Sequence, residues 1–401
     1  MGIFVPKMTL VDALPIEGKR VLMRVDFNVP LEDGQVADDS RIQAALKSIR
    51  NVLERGGRLI LVSHLGRPKG QVNEALSLAP AGERLAELLD QEILLSDLPV
   101  GDSATRLSKE LRDGEILLLE NIRFHPGETT NDDGLARELG AMADFYVNDA
   151  FGTAHRAHAS TSGVAKHVRD KAAGFLMARE VKILNRLLNA PKTGFVAVLG
   201  GAKVSDKIAV LEQLVGRVET LLIGGAMAYT FLAAQGHQIG GSRVEVEQLD
   251  TARRILKSAS RRGCEVLLPV DHGCADRFAV DAPRTEVDGL NIPDGMLGLD
   301  IGPRSMANYA EKIAQARTVF WNGPMGVFEF PSFAEGTRTV ANAVADSQAW
   351  SVVGGGDSVR AVSESGRAGD INHISTGGGA SLEFLEGKEL PGLRALGVRR
   401  S

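Results

Sequence analysis

The 401-residue chain has only two cysteines, Cys264 and Cys274. Two are too few for a disulfide framework, and their spacing is not Cys-x-x-Cys, so a stapled secreted scaffold and a zinc ribbon are both excluded. A reducing cytoplasm is the expected home. Excess positive charge is lacking as well. The formal net charge is -5, which argues against general nucleic-acid binding and confines any anion site to a local cluster of cations. No apolar run is long enough to span a bilayer, so no membrane partner is expected. Met1 to Lys7 have neither the apolar stretch nor the small-residue cleavage site of a signal peptide, and the Ser or Thr of a myristoylation signal is missing after Gly2. Neither Gly-x-x-x-x-Gly-Lys-Ser/Thr nor Gly-x-Gly-x-x-Gly occurs, which weighs against the common NTPase and dehydrogenase readings.

What the chain does contain is a regular alternation. Short, unbroken apolar runs at Val21–Val25, Leu59–Val62, Ile116–Leu119 and Phe145–Val147 read as strands in the first half. Phe195–Leu199, Thr220–Ile223, Val266–Val270, Val319–Trp321 and Ser351–Val353 do so in the second. Such runs suit strands buried on both faces of a parallel sheet. Helix-period segments lie between them at Arg41–Leu53, Pro80–Leu89, Val204–Val215, Thr251–Arg261 and Ala334–Ala345, making the pattern βαβ. The length argues for two domains. A long helix over Gly174–Leu188, broken by Asn189-Ala-Pro-Lys-Thr-Gly194, marks the join, with Gly174 and Pro191–Gly194 as hinge candidates. The expected fold is α/β: two Rossmann-like parallel-sheet domains separated by a cleft and joined by a hinge helix. Residues 1–172 form the first domain, 173–190 the interdomain helix, 191–388 the second domain, and 389–401 a tail packing back on the first.

In parallel sheets ligands sit beyond the carboxyl ends of the strands. In the first half those places hold Asp26 and Asn28, then His64 and Arg67, then Arg123, then His155 and Arg156. In the second they hold Gly200-Gly201, Gly224-Gly225, Asp271, Asn322-Gly323 and Gly354-Gly355-Gly356. One half offers cations and the other bare backbone. Arginine grips phosphate or carboxylate with five donors in a fixed plane, although any single arginine is more often a surface ion pair. Arg41, in the first turn of a helix, opposes the helix dipole, which favours an anion-gripping role. Asp38 to Ser40 are sound helix-start residues. His155 and His158 are spaced His-x-x-His without the acidic partner of a metalloprotease, so zinc is not expected there. Lys203 and Lys207, four apart at a helix opening, would stack on one face, either as solvated lysines or as a pair joined by an anion. After the strand ending at Val353, three glycines precede Asp357 and Ser358, which read as an N-cap and a first helical residue of a phosphate site. Ser375-Thr-Gly-Gly-Gly-Ala380 repeats that strand, glycine, helix theme.

Arg24-Val-Asp-Phe-Asn-Val-Pro30, Ser63-His-Leu-Gly-Arg-Pro68, Gly200-Gly-Ala-Lys-Val-Ser-Asp-Lys207, Trp321-Asn-Gly-Pro-Met-Gly-Val-Phe-Glu329 and Gly354-Gly-Gly-Asp-Ser358 together resemble the phosphoglycerate kinase family, in order from about Val21 to about Pro391. The resemblance implies a two-domain monomer that transfers a phosphoryl group reversibly between 1,3-bisphosphoglycerate and ADP, giving 3-phosphoglycerate and ATP, with Mg2+. It implies that Asp26, Asn28, Arg41, His64, Arg67, Arg123 and Arg156 hold the phosphoglycerate. Lys203, Lys207, Gly298, Glu329, Gly355, Gly356, Asp357 and Ser358 would hold the nucleotide, with Asp357 also on the metal. Arg41, Lys203 and Lys207 would be the catalytic cations, and the tail Leu390–Ser401 would fold back onto the first domain. Three departures stand out: Gly224-Gly225-Ala226 replaces three glycines, Ser358 replaces a threonine, and Asp271-His-Gly-Cys-Ala275 is less apolar than the pattern. Outside that family, a non-catalytic phosphate- or nucleotide-binding protein of the same fold is the alternative.

Overall fold

The structure, a computed structural model, describes residues 8–398. The readings made on Met1–Lys7 and the last residues of the tail, Arg399–Ser401, lie outside the described residues. The chain divides into two compact units, Met1–Ile183 with Lys388–Ser401, and Leu184–Gly387. Among the described residues no helix is long and apolar enough to cross a membrane.

The first unit is built on a six-stranded sheet in the spatial order Leu94–Leu95, Ile116–Leu118, Arg58–Val62, Arg20–Arg24, Phe145–Asn148, Asp170–Ala173. Every pairing in it is parallel. Parallel strands need helical crossovers that cover both sheet faces, so the central strands are apolar on both sides. Leu22, Ile60 and Leu117 face one apolar cluster, and Val21, Leu59 and Leu118 face the other. The helix Ser40–Glu54 lays Ile42, Ala45, Ile49 and Val52 on the second of these, the 3.6-residue stripe of an amphipathic helix. The short helix Pro391–Ala395 returns to this unit. The Gly392 N–H donates to the Ala154 carbonyl at 2.8 Å, and a Cβ on Gly392 would come within 3.0 Å of Ala154 Cα, so glycine permits the close approach.

The second unit has its own six-stranded parallel sheet, ordered Glu265–Leu267, Thr220–Ile223, Phe195–Leu199, Thr318–Asn322, Trp350–Gly354, His373–Ile374. Trp321 lies fully buried in its core, and its indole N–H is satisfied by the Gly323 carbonyl at 2.8 Å. The helix Phe175–Leu188 runs from one unit into the other. The α/β class and the two parallel sheets thus follow the apolar runs.

Three local readings are corrected. The strand expected over Val266–Val270 is Glu265–Leu267. Asp271 does not close it but opens a separate antiparallel strand, Asp271–Ala275, which pairs with Thr285–Asp288 and Leu297–Ile301. The helix expected over Val204–Val215 covers only Ile208–Leu214, with Lys207 at its N-cap. Lys203 and Lys207 therefore do not share a helix face. In the helix Gly356–Glu364 the N-cap is Gly355, at φ 91°, and Asp357 and Ser358 lie inside the first turn. Only glycine adopts that dihedral without strain, and it displaces the start by two residues.

Candidate active site

In the first unit the sequence-identified residues converge at the carboxyl ends of the strands. Asp26 and Asn28 follow the strand Arg20–Arg24, which pairs with Arg58–Val62 and so brings His64 alongside. Asp26 accepts from Arg41 Nη1 at 2.9 Å, and its other oxygen lies 3.9 Å from His64 Nδ1. Asn28 Oδ1 accepts from the Gly66 N–H at 2.9 Å, and the Gly66 carbonyl accepts from Arg123 at 2.7 Å. Arg67, Arg123 and Arg156 line one cavity of about 520 Å3, together with Lys69, Gly70, His125, Pro126 and Thr129. Arg67 is exposed, Arg41 half-buried, and Arg123 and His64 buried.

Sequence reasoning missed the residue beneath them. Arg24, 1% exposed, donates to Ser160 Oγ at 2.9 Å and to the Val25 carbonyl, and its Nη2 lies 3.2 Å from His64 Nδ1. Its last place in an apolar strand was the available signal, because a buried guanidinium there requires partners. Ser160 in turn donates to Glu128 at 2.7 Å, so a fully buried carboxylate supplies the counter-charge. Burial, and then the charges of Arg24, Arg123, Arg41 and Arg156, hold the His64 pKa well below its ordinary value. His64 is neutral at pH 7. With Nδ1 accepting from Arg24, its proton sits on Nε2, which makes it a donor rather than a base. Burial, followed by Arg156 and Arg24, brings Arg123 down to about 10, still fully charged at neutral pH. Arg156 Nε lies 3.2 Å from His155 Nε2. The result is a group of cations facing few carboxylates, with Asp26 and Glu128 as the nearby acids.

In the second unit the glycine loops first serve each other. A Cβ on Gly200 would meet the Pro324 carbonyl at 2.0 Å, one on Gly225 would meet Gly201 N at 2.6 Å, and one on Gly323 would meet the Gly200 carbonyl at 2.2 Å. Gly200 donates to Asn322, Gly201 to Pro324, and Gly225 to Met325, all within 2.9–3.1 Å. Much of the bare backbone expected to face a ligand is thus consumed in packing three strand-end loops together. Ala226, in place of a third glycine, opens the helix Met227–Ala234 as its N-cap.

Lys207 lies over this platform, 8% exposed, with Nζ donating to the Asn322 carbonyl at 3.1 Å and to Asn322 Oδ1. Burial lowers its pKa to about 8, against the pull of Asp357 and Asp206. Asn322 also donates to the Gly354 carbonyl at 2.8 Å, and Ser358 Oγ accepts from the Gly323 N–H at 2.5 Å. Lys207, Asn322, Gly355, Asp357 and Ser358 form one group at the strand ends. Gly356 and Asp357 are exposed, whereas Ser358 is fully buried. Lys203 is exposed. The other two nucleotide candidates have partners outside that group. Gly298 donates to Ser242 at 2.9 Å, with the Tyr229 ring where a Cβ would be, and Glu329 lies 3.7 Å from Arg360. Asp271 caps the helix Pro303–Ala314, accepting from the Arg304 and Ser305 amides at 2.8 Å each.

Two parallel α/β sheets, one ending in guanidinium groups and one in glycine loops and a buried lysine, define a protein of two Rossmann-like units, a class in which ligands sit beyond the carboxyl ends of the strands. Comparison with known proteins gives the family. The family model for phosphoglycerate kinase matches residues 11–388. A phosphoglycerate kinase of Anaeromyxobacter dehalogenans (strain 2CP-C) is 55% identical over 388 residues, covering 96% of this chain and 98% of that one. One of Prosthecochloris aestuarii is 53% identical, covering 97% and 99%. The solved phosphoglycerate kinase of Coxiella burnetii superposes with a TM-score of 0.87 at 41% identity, over 98% of this chain and 99% of that chain. The chain belongs to the phosphoglycerate kinase family. It is therefore an enzyme, a phosphotransferase, and membership implies phosphoglycerate and ADP or ATP as its substrates.

Proposed function

We propose that the chain catalyses Mg2+-dependent, reversible transfer of a phosphoryl group from 1,3-bisphosphoglycerate to ADP, in glycolysis and gluconeogenesis, as a cytoplasmic monomer with neither nucleic acid nor membrane as a partner. The observation that carries this reading is the cation group of Arg24, Arg41, Arg123 and Arg156 around a neutral His64. In this reading Arg41, Arg67, Arg123 and Arg156 hold the phosphate and carboxylate of 3-phosphoglycerate, and Asp26, Asn28 and His64 orient it.

Lys203, Lys207 and the opening of the helix Gly356–Glu364 take the nucleotide phosphates, with Gly298 and Glu329 toward its base and sugar. Asp357 is an exposed carboxylate at that helix opening. Mg2+ typically binds through one or two carboxylates plus substrate phosphates, so a single acid fits a metal that arrives on the nucleotide. The ion would supply charge neutralisation on the transferring group.

No general base is required. The acceptor carboxylate has a reference pKa of roughly 3.3–3.7 and is ionised at neutral pH. His64 is fixed as a donor by Arg24, in keeping with an orienting role. What remains is alignment and neutralisation of developing charge, the work of Arg41, Lys203 and Lys207. Because the two sets of groups belong to different units, a reaction requires the units to close around both ligands across a cleft, with Gly174 and Pro191–Gly194 as hinges. The test is a coupled assay of ATP and 3-phosphoglycerate with the purified chain. Transfer that requires both substrates and Mg2+ is expected. Binding of either ligand without transfer would overturn the reading in favour of a non-catalytic binding protein.

A further inference from the structure

The loop carrying the two lysines is not the helix that its apolar spacing predicts. Val204–Val215 has helical periodicity, yet the helix begins only at Ile208. The preceding turn, closed by Lys207 N–H to the Val204 carbonyl at 2.8 Å, is held from outside by one carboxylate. Glu245 accepts from the Val204 N–H at 2.5 Å, from the Ser205 N–H at 3.1 Å and from Ser205 Oγ at 2.5 Å. Glu245 is anchored in turn: its own N–H donates to Thr230 Oγ1 at 3.1 Å, and Thr230 is buried in the helix Met227–Ala234. Burial pushes the Glu245 carboxyl up, but the Ser205 and Val204 hydrogen bonds and the charge of Lys203 outweigh it and hold the group below the usual carboxylate range. A fixed anion thus satisfies three donors of the turn, and the turn leads directly into Lys207, whose Nζ is seated on Asn322.

We infer that Glu245 is a positioning residue for phosphoryl transfer, whose carboxylate clamps the turn Val204–Lys207 so that Lys207 is seated on Asn322 and Lys203 is left free toward solvent. The inference rests on the reading of these lysines as nucleotide-phosphate ligands. Without the clamp, the amides of Val204 and Ser205 lose their acceptor, and the turn is released to extend the helix toward its N-terminus. That change would rotate Lys203 and Lys207 toward a common face and unseat the second from Asn322.

Two readouts on wild type, Glu245→Ala and Glu245→Gln separate the inference from that reading. The first is the rate of labelling of Lys207 by an amine-selective reagent at pH 8, without ligands, followed by mass spectrometry. Glu245→Ala is expected to raise it at least about fivefold. Glu245→Gln, which still accepts amide hydrogen bonds, should recover part of the protection. The second is steady-state kinetics. Displacing a positioned group by about an ångström can cost up to about 100-fold, and Glu245→Ala is expected to raise the KM for ATP about tenfold and leave that for 3-phosphoglycerate within about twofold. Unchanged Lys207 labelling in Glu245→Ala overturns the inference, whatever the kinetics show. So does an equal rise in both KM values with parallel loss of melting temperature, the signature of a purely structural role. If the wild type transfers no phosphoryl group, the nucleotide reading fails, and the labelling still decides whether Glu245 holds the turn.

Discussion

Asp149 lies fully buried just beyond the strand Phe145–Asn148, where its carboxylate accepts from the Met177 N–H at 3.0 Å in the first turn of the long helix Phe175–Leu188. A Cβ on Gly174 would come within 2.2 Å of that carboxyl group, so glycine makes room for the cap. Burial raises the Asp149 pKa to about 7, against hydrogen bonds from Ser48, Met177 and Leu176. The unfolded value is about 3.9. The folded pKa is the higher of the two, so the stabilisation is fully present below about pH 4 and is lost as pH rises through 7. Between pH 5 and pH 8 these values give a loss of a few kcal/mol, out of about 4 kcal/mol over the whole range. Asp149→Asn removes the titration and keeps an acceptor for the helix amides. Urea denaturation of both proteins at pH 5, 6, 7 and 8 checks this, since titrations common to the two cancel in the difference. The variant should gain on the wild type by about 2–3 kcal/mol between the ends of that range. A difference independent of pH would refute the burial-driven shift.

Three further outcomes follow from the second unit. Gly225 has φ 67° and Gly201 backbone atoms 2.6 Å from a would-be Cβ, so Gly225→Ala should cost about 3 kcal/mol and speed amide exchange in residues 200–207, as hydrogen-exchange mass spectrometry would show. Asp271→Ala strips the buried cap from the helix Pro303–Ala314 and should cost about 2 kcal/mol in urea denaturation, with KM values unchanged. Lys207→Ala should lower kcat about 100- to 1000-fold while shifting Tm little, and near-native turnover would reject a catalytic role.

The sheets were legible because parallel strands buried on both faces leave unbroken apolar runs, and Phe195–Leu199 and Thr220–Ile223 match to the residue. The grouping of Asp26, Asn28, His64 and Arg123 was legible because strand order places successive strand ends side by side, and Arg41 reaches Asp26 from the first turn of the helix Ser40–Glu54. What remained hidden depends on contacts distant in sequence. Periodicity alone extends the helix at Ile208 back to Val204, because the carboxylate that holds the preceding turn comes from Glu245, 41 positions away. Asp357 and Ser358 resemble cap residues, but the positive φ of Gly355 starts the helix earlier. Arg24 was passed over because its partners come from elsewhere in the chain, His64 from the end of another strand and Ser160 from the helical segment Ala159–Gly163. The glycines of 200–201, 224–225 and 323 carry the same letter whether they face a ligand or one another, and only the packing distinguishes the two.

The central claim is a division of labour: guanidinium groups of the first unit hold phosphoglycerate, and the loops of the second hold the nucleotide. Calorimetric titration of 3-phosphoglycerate and of MgATP into Arg123→Ala and Lys207→Ala tests it most directly. Arg123→Ala should weaken 3-phosphoglycerate at least about tenfold and leave MgATP within about twofold, and Lys207→Ala should do the reverse. Equal weakening of both ligands by either variant, or of neither by both, would contradict it.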